Sequence, residues 1–266
     1  MRVIKVVLIV FHILLGLILI VLTGALWNPL APRVKAAKRW WLQRILKLMS
    51  VETEVYGELP MAKNGKGVVF VSNHVSWLDI PLIGSLRQIN FLSKAEVKSW
   101  PLIGRLATST GTLFIQRGSG DTNQVKRNIA ARINAGHSVL FFPEGTTTDG
   151  TSVKRFHHKL FRVNEFADTE FCPVVINYDV EGEPFNPVAF IDDDEFAEHL
   201  WHLLRYNHIR ARVEFMPTRT ISMENLRQDV QALEEEMRRK VELRSRRIRL
   251  DTQADVQELS FNTNTQ

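Results

Sequence analysis

Hydrophobic positions are distributed along this chain in three different ways. From Val6 to Trp27 they are nearly continuous, interrupted by His12, Thr23 and two glycines. About 20 such residues suffice to cross a bilayer, and the run exceeds the roughly 7 to 15 residues of a secretory signal core, so it predicts a retained membrane segment. Beyond Asn28-Pro29 and Pro32 the apolar residues Ala37, Trp41, Ile45 and Leu48 recur three or four apart, among Lys35, Lys38, Arg39, Arg44 and Lys47. That spacing predicts a basic amphipathic helix suited to a lipid interface. From residue 66 short apolar strands alternate with helical stretches, the pattern of an α/β sheet.

Strands are expected at Val68 to Val71, Ile89 to Leu92, Thr112 to Ile115, Ser138 to Phe142, Pro173 to Asn177 and Arg212 to Met216. Helices are expected at Asp79 to Leu86, Leu102 to Ala107, Thr122 to Asn134, His158 to Phe166 and Asp194 to Tyr206, with a long one from about Glu224. The predicted fold class is therefore α/β, a mixed sheet flanked by helices and preceded by a membrane-inserted segment. Residues 1–50 form the membrane segment and basic helix, 51–250 one catalytic-sized domain, and 251–266 a polar tail with no core-forming pattern, expected to be disordered.

Composition narrows the chemistry. Thirty-four Lys and Arg against 29 Asp and Glu give a formal +5, which suits an anionic partner: a membrane surface, a phosphate-bearing substrate or nucleic acid. The lone cysteine, Cys172, excludes an internal disulfide and a Cys-rich zinc site. Two basic residues precede the apolar run and many follow it, so the positive-inside bias places the domain on the cytoplasmic face of the membrane. The acidic run Asp192 to Glu195, with His199 and His202 beyond it, reads as a helix start rather than a metal site, because carboxylates there favour the helix dipole. The basic stretches Arg238 to Lys240 and Arg244 to Arg249 carry no recognised nucleic-acid motif and more simply meet anionic lipid; a membrane-anchored basic binding protein is the alternative from another class.

Candidate chemistry starts at Ser72-Asn-His74-Val-Ser-Trp-Leu-Asp79, directly after a glycine-led strand. On one helix, residues five apart would point about 140° away from each other, so His74 and Asp79 meet only if the chain bends between them. A strand end, loop and helix start supply that bend. A neutral His74 could then take a proton from a hydroxyl while Asp79 orients the ring and stabilises the imidazolium.

Three further blocks follow in order: Gly111-Thr-Leu-Phe-Ile-Gln-Arg117, Phe142-Pro-Glu-Gly-Thr146 and Cys172-Pro-Val-Val-Ile176. With Asn73, His74 and Asp79, and with Lys94 in Ser93-Lys-Ala-Glu96 and the stretch Trp100 to Gly104, the series resembles the lysophospholipid acyltransferase family, typified by 1-acylglycerol-3-phosphate acyltransferase. The resemblance covers about residues 66 to 177. It implies an α/β fold at the membrane surface and an acyl thioester of coenzyme A or acyl carrier protein as co-substrate. It also implies a lysophospholipid acceptor and direct transfer with no cofactor, metal or acyl-enzyme.

Carried over by position, it makes His74 the general base and Asp79 its partner, with Arg117, Glu144, Gly145, Thr146, Thr147 and Lys94 binding substrate. The absence of Gly-x-Ser-x-Gly agrees that no enzyme nucleophile is required. On the resemblance, 1-acylglycerol 3-phosphate is the first acceptor expected. One position departs: glycerolipid members usually carry arginine where this chain has Thr147, followed by Thr148-Asp149-Gly150. A threonine brings no charge, which suits a bulkier or less anionic head group. This variant looks like the branch that acylates other lyso-lipids, including lyso-ornithine lipid.

Overall fold

The computed structural model describes residues 2–60, 63–116, 122–183, 185–191 and 194–263. Seven strands form one sheet: β1 (Val51–Tyr56), β2 (Val69–Ser72), β3 (Ile89–Lys94), β4 (Leu113–Ile115), β5 (Ser138–Phe141), β6 (Phe171–Asp179) and β7 (Ile209–Phe215). Their spatial order is β1-β7-β6-β2-β5-β3-β4. Every pairing is parallel except β6 with β7, so the sheet is mixed, as the strand pattern predicts.

The helices are α1 (Arg2–Leu22), α2 (Pro32–Leu48), α3 (Asp79–Leu86), α4 (Ile103–Ser109), α5 (Thr122–Asn134), α6 (Phe196–Leu203) and α7 (Leu226–Thr263). The segment His158–Glu165, expected as an α-helix, is 3-10. Helical backbone continues through Thr263, across most of the stretch the sequence reads as a polar tail.

Both faces of the central strands are covered, which explains their unbroken apolar runs. Phe70, Leu140, Val174 and Ile176 face α1, α2, α3 and α6 through Ile9, Ile45, Leu82 and Leu203. Val69, Val71, Val139 and Val175 face α5 and α7 through Ile129, Leu233 and Met237. Strand β1 escapes the hydrophobic pattern because it is an edge strand with alternating acids. Glu54 pairs with Arg210 and Arg212 of the neighbouring β7, so cross-strand charge helps set its register.

Helices α1 and α2 form an antiparallel hairpin. The Trp41 indole donates to the His12 carbonyl at 2.8 Å, His12 Nε2 meets the Trp41 carbonyl at 2.9 Å, and the two rings stack at 4.8 Å. Gly16 permits this approach, since a Cβ there would lie 2.8 Å from Trp41 Nε1. Near the other end of α1, Lys5 Nζ donates to Ser50 Oγ at 3.1 Å and to the Tyr206 carbonyl at 2.9 Å. The helix is long and apolar enough to cross a membrane, with a mean hydropathy of 3.0, yet it is fastened along its length to the domain. Its other side exposes Val3, Ile4, Phe11, Ile18 and Leu22.

Candidate active site

The carboxyl ends of adjacent parallel strands β2 and β5 define the crevice where α/β sheets usually bind ligands. Asn73, fully buried, follows β2 and clamps its loop to β6: Nδ2 donates to the Ile176 carbonyl at 2.9 Å and Oδ1 accepts from Ile176 N–H at 2.8 Å. The next residue, His74, is carried through a tight loop before α3 starts at Asp79. Its Nδ1 lies 2.7 Å from Asp79 Oδ2, so the bend expected between the two residues is present.

Asp79 is fully buried and completely partnered. Besides His74, Oδ2 accepts the N–H groups of Val75 at 2.8 Å and Ser76 at 3.1 Å, while Oδ1 accepts the Tyr178 hydroxyl at 2.7 Å. Burial, then the adjacent Asp79 charge, pushes the Tyr178 phenol well above its ordinary pKa, which keeps it a donor. With the carboxylate accepting at Nδ1, the imidazole carries its proton there and leaves Nε2 with a lone pair. That nitrogen has no hydrogen-bond partner among the described residues, and the side chain retains 20% exposure. Phe142 stacks on the ring at 3.7 Å and 9°, fixing its plane.

Glu144 lies behind this pair rather than in open space. Its oxygens accept the N–H groups of His74 at 2.9 Å and Lys154 at 2.7 Å, tying the loop after β5 to the histidine. Burial raises its pKa to about 7, against the lowering effect of the two N–H groups. A carboxyl whose pKa rises from about 4.5 unfolded to about 7 folded makes a contribution to stability that is fully present below about pH 4.5 and is lost as pH climbs through 7. Thermal melts from pH 5 to 8 should therefore show wild type losing stability relative to Glu144→Gln as pH increases. A difference that does not change with pH would remove Glu144 as the titrating group.

The other expected site residues separate on inspection. Gly145 adopts φ 68°, the left-handed conformation that lets the Phe142–Thr146 element turn. Thr146 follows it, half-buried. Thr147 Oγ1 donates to the Phe190 carbonyl, so it fastens a neighbouring segment instead of presenting a free hydroxyl. Thr148 N–H donates to the His74 carbonyl at 2.8 Å. Lys94 ends β3 and is exposed on the same sheet edge. Arg117 lies outside the described residues, as do Asp192 and Asp193.

His199 spends both ring nitrogens within the fold: it takes the Trp77 indole N–H on Nδ1 at 3.0 Å and meets the Ala189 carbonyl through Nε2 at 2.9 Å. Among the described residues there is no group of three metal-ligating side chains. Cys172 is buried in the core, and desolvation pushes its thiol up to about 12, unsuited to a nucleophile. Sequence reasoning did not single out Tyr178. The weak signal available was its place on β6, in step with the apolar Cys172, Val174 and Ile176.

The Acyltransferase family's sequence pattern matches residues 52–177. The lyso-ornithine lipid O-acyltransferase of Pseudomonas aeruginosa is 43% identical over 201 residues, covering 72% of this chain and 76% of that protein. Its namesake from Rhodobacter capsulatus is 38% identical over 168 residues, 61% of each chain. The 1-acyl-sn-glycerol-3-phosphate acyltransferase of Neisseria meningitidis is 30% identical over 158 residues, 59% of this chain and 62% of that one. A solved 1-acyl-sn-glycerophosphate acyltransferase from Thermotoga maritima shares the fold, with a TM-score of 0.63 at 20% identity over 91% of this chain and 97% of its own. The chain thus belongs to the acyltransferase family and is an O-acyltransferase of the lysophospholipid type. Its apolar N-terminal helix and its lipid-acylating relatives point to membrane association.

Proposed function

We propose that the protein transfers a fatty acyl group from a coenzyme A or acyl carrier protein thioester to the hydroxyl of lyso-ornithine lipid. The observation that carries this reading is the residue after the Phe142–Thr146 element. Where glycerolipid enzymes usually place an arginine, Thr147 is uncharged and its hydroxyl is engaged with the Phe190 carbonyl. The relatives named for lyso-ornithine lipid, up to 43% identical, support the same acceptor. The second reading, 1-acylglycerol 3-phosphate, is favoured by the Neisseria relative.

In this mechanism Nε2 of His74 takes the hydroxyl proton as the oxygen attacks the thioester carbonyl. Collapse of the tetrahedral intermediate breaks the carbon–sulfur bond, and the proton passes from His74 to the departing sulfur. Asp79 stabilises the imidazolium between those steps. No metal or covalent acyl-enzyme takes part.

The domain is read as lying on the cytoplasmic face. α1 is fastened along the domain, with Gly16 against Trp41 and Lys5 on Ser50 and Tyr206, so it is read as an in-plane arm of the hairpin immersed in one leaflet. A labelled acyl thioester offered to both acceptors tests the head-group choice. The expected kcat/KM for lyso-ornithine lipid exceeds that for 1-acylglycerol 3-phosphate by at least about tenfold. The reverse order would put the second reading in its place.

A further inference from the structure

The basic stretch that the sequence assigns to anionic lipid lies across the sheet from the apolar hairpin. Residues 238–250 hold seven Lys and Arg against one acid, Glu242, which accepts the Ser152 hydroxyl at 2.8 Å. They belong to α7, which covers the sheet face opposite the one covered by α1 and α2. The sheet therefore separates this charge from the helix read as lying in the membrane.

Three of these cations are tied down: Arg238 to Glu234, and Lys240 and Arg244 to Glu214. Arg239, Arg246 and Arg247 are exposed and enter no ion pair among the described residues. They share one side of the helix with Leu243 and Leu250, which are 60% and 65% exposed, because the positions 239, 243, 246, 247 and 250 follow the 3.6-residue turn. Two bare leucines among three free guanidinium groups thus form a stripe about 16 Å long.

The stripe stands at the catalytic end of the sheet. Near the start of α7, Leu226 shares a core cluster with Phe171, the first residue of β6, whereas Ser245 and Ile248 gather with Asn177, Tyr178 and Asp179 at the end of β6. Tyr178 is the residue that donates to Asp79. The neighbouring loop adds exposed Arg155: α7 holds it through Phe156 N–H on Glu234 at 2.8 Å, and Lys154 N–H ties it to Glu144, which holds His74.

We propose that this stripe of α7 docks an acidic helix of the carrier protein that delivers the acyl thioester. The assignment rests on the acyl-transfer reading above and deepens it by choosing the donor. Carboxylates around apolar residues on a helix would meet the arginines and the two leucines together. Of the two thioester carriers only a protein can present such a face, since the phosphates of coenzyme A would leave the leucines bare.

The test uses the full-length protein in detergent, the same acyl chain on acyl carrier protein and on coenzyme A, and both acceptors named above. Two variants are compared with wild type: Arg246→Glu with Arg247→Glu, and Leu243→Ser with Leu250→Ser. The expected result is a KM for the carrier-protein donor raised roughly tenfold in each, with KM for the coenzyme A donor and for the acceptor level. Added salt should weaken the carrier-protein donor in wild type and much less in the charge-reversed variant. A KM raised equally for both donors, or for neither, overturns the docking assignment. So does a charge-reversed variant that loses binding to phosphatidylglycerol vesicles while its carrier-protein KM holds, which would make the stripe a lipid contact. A wild-type enzyme that uses only the coenzyme A donor overturns the docking and leaves acyl transfer standing. No transfer from either donor to either acceptor overturns the reading beneath it.

Discussion

Replacing His74 with alanine should lower kcat by about a thousandfold or more while the protein still folds. The imidazole offers a lone pair at Nε2 that no other described side chain shares, so its removal leaves the attacking hydroxyl without a base. Structural loss should be small, because Asp79 keeps three of its four donors and the Asn73 clamp on Ile176 is untouched. The missing ring contact with Phe142 should cost about 1 kcal/mol. Steady-state turnover alongside a thermal melt checks both halves. A well-folded variant retaining even a tenth of wild-type kcat would remove His74 from the proton transfer.

Asp79→Asn should be nearly as damaging, for a narrower reason. The N–H groups of Val75 and Ser76 both point at Oδ2, so an asparagine would turn its carbonyl toward them and toward His74. Its amide nitrogen would then face the Tyr178 hydroxyl, which can rotate to accept. The substitution should therefore preserve the loop and the histidine tautomer while deleting the charge that stabilises the imidazolium. We expect kcat to fall by about 10³-fold or more with little change in acceptor KM. If activity survives, the carboxylate acts as a fold-forming acceptor and its charge is irrelevant to turnover.

The pair His74 and Asp79 was legible because a single short segment carries both residues, and the strand-to-helix change between them forces the bend. The central strands were legible for a related reason: burial on both faces leaves unbroken apolar runs. Strand β1 was not, since its alternating glutamates make sense only beside the arginines of β7, more than 150 residues away. Tyr178 was hidden likewise, separated from Asp79 by 99 positions. Two expected contacts changed character in three dimensions. Glu144 spends its oxygens on backbone N–H groups, and Thr147 spends its hydroxyl on Phe190, so both shape the site from behind. Short motifs identify the residues around a reaction more readily than they tell which of them face the substrate.

The way α1 is fastened also bears on how a water-soluble enzyme could be engineered. Cutting the chain after Trp27 would uncouple Ile9 and Ile20 from their buried contacts and bare the face of α2 that carries Trp41. That would exchange one greasy surface for another and loosen the domain besides. Repainting is the better route. Polar residues at Val3, Ile4, Val7, Phe11 and Ile18, with Ile9, His12, Gly16 and Ile20 left as they are, would change the side turned away from the domain and keep the side that holds it.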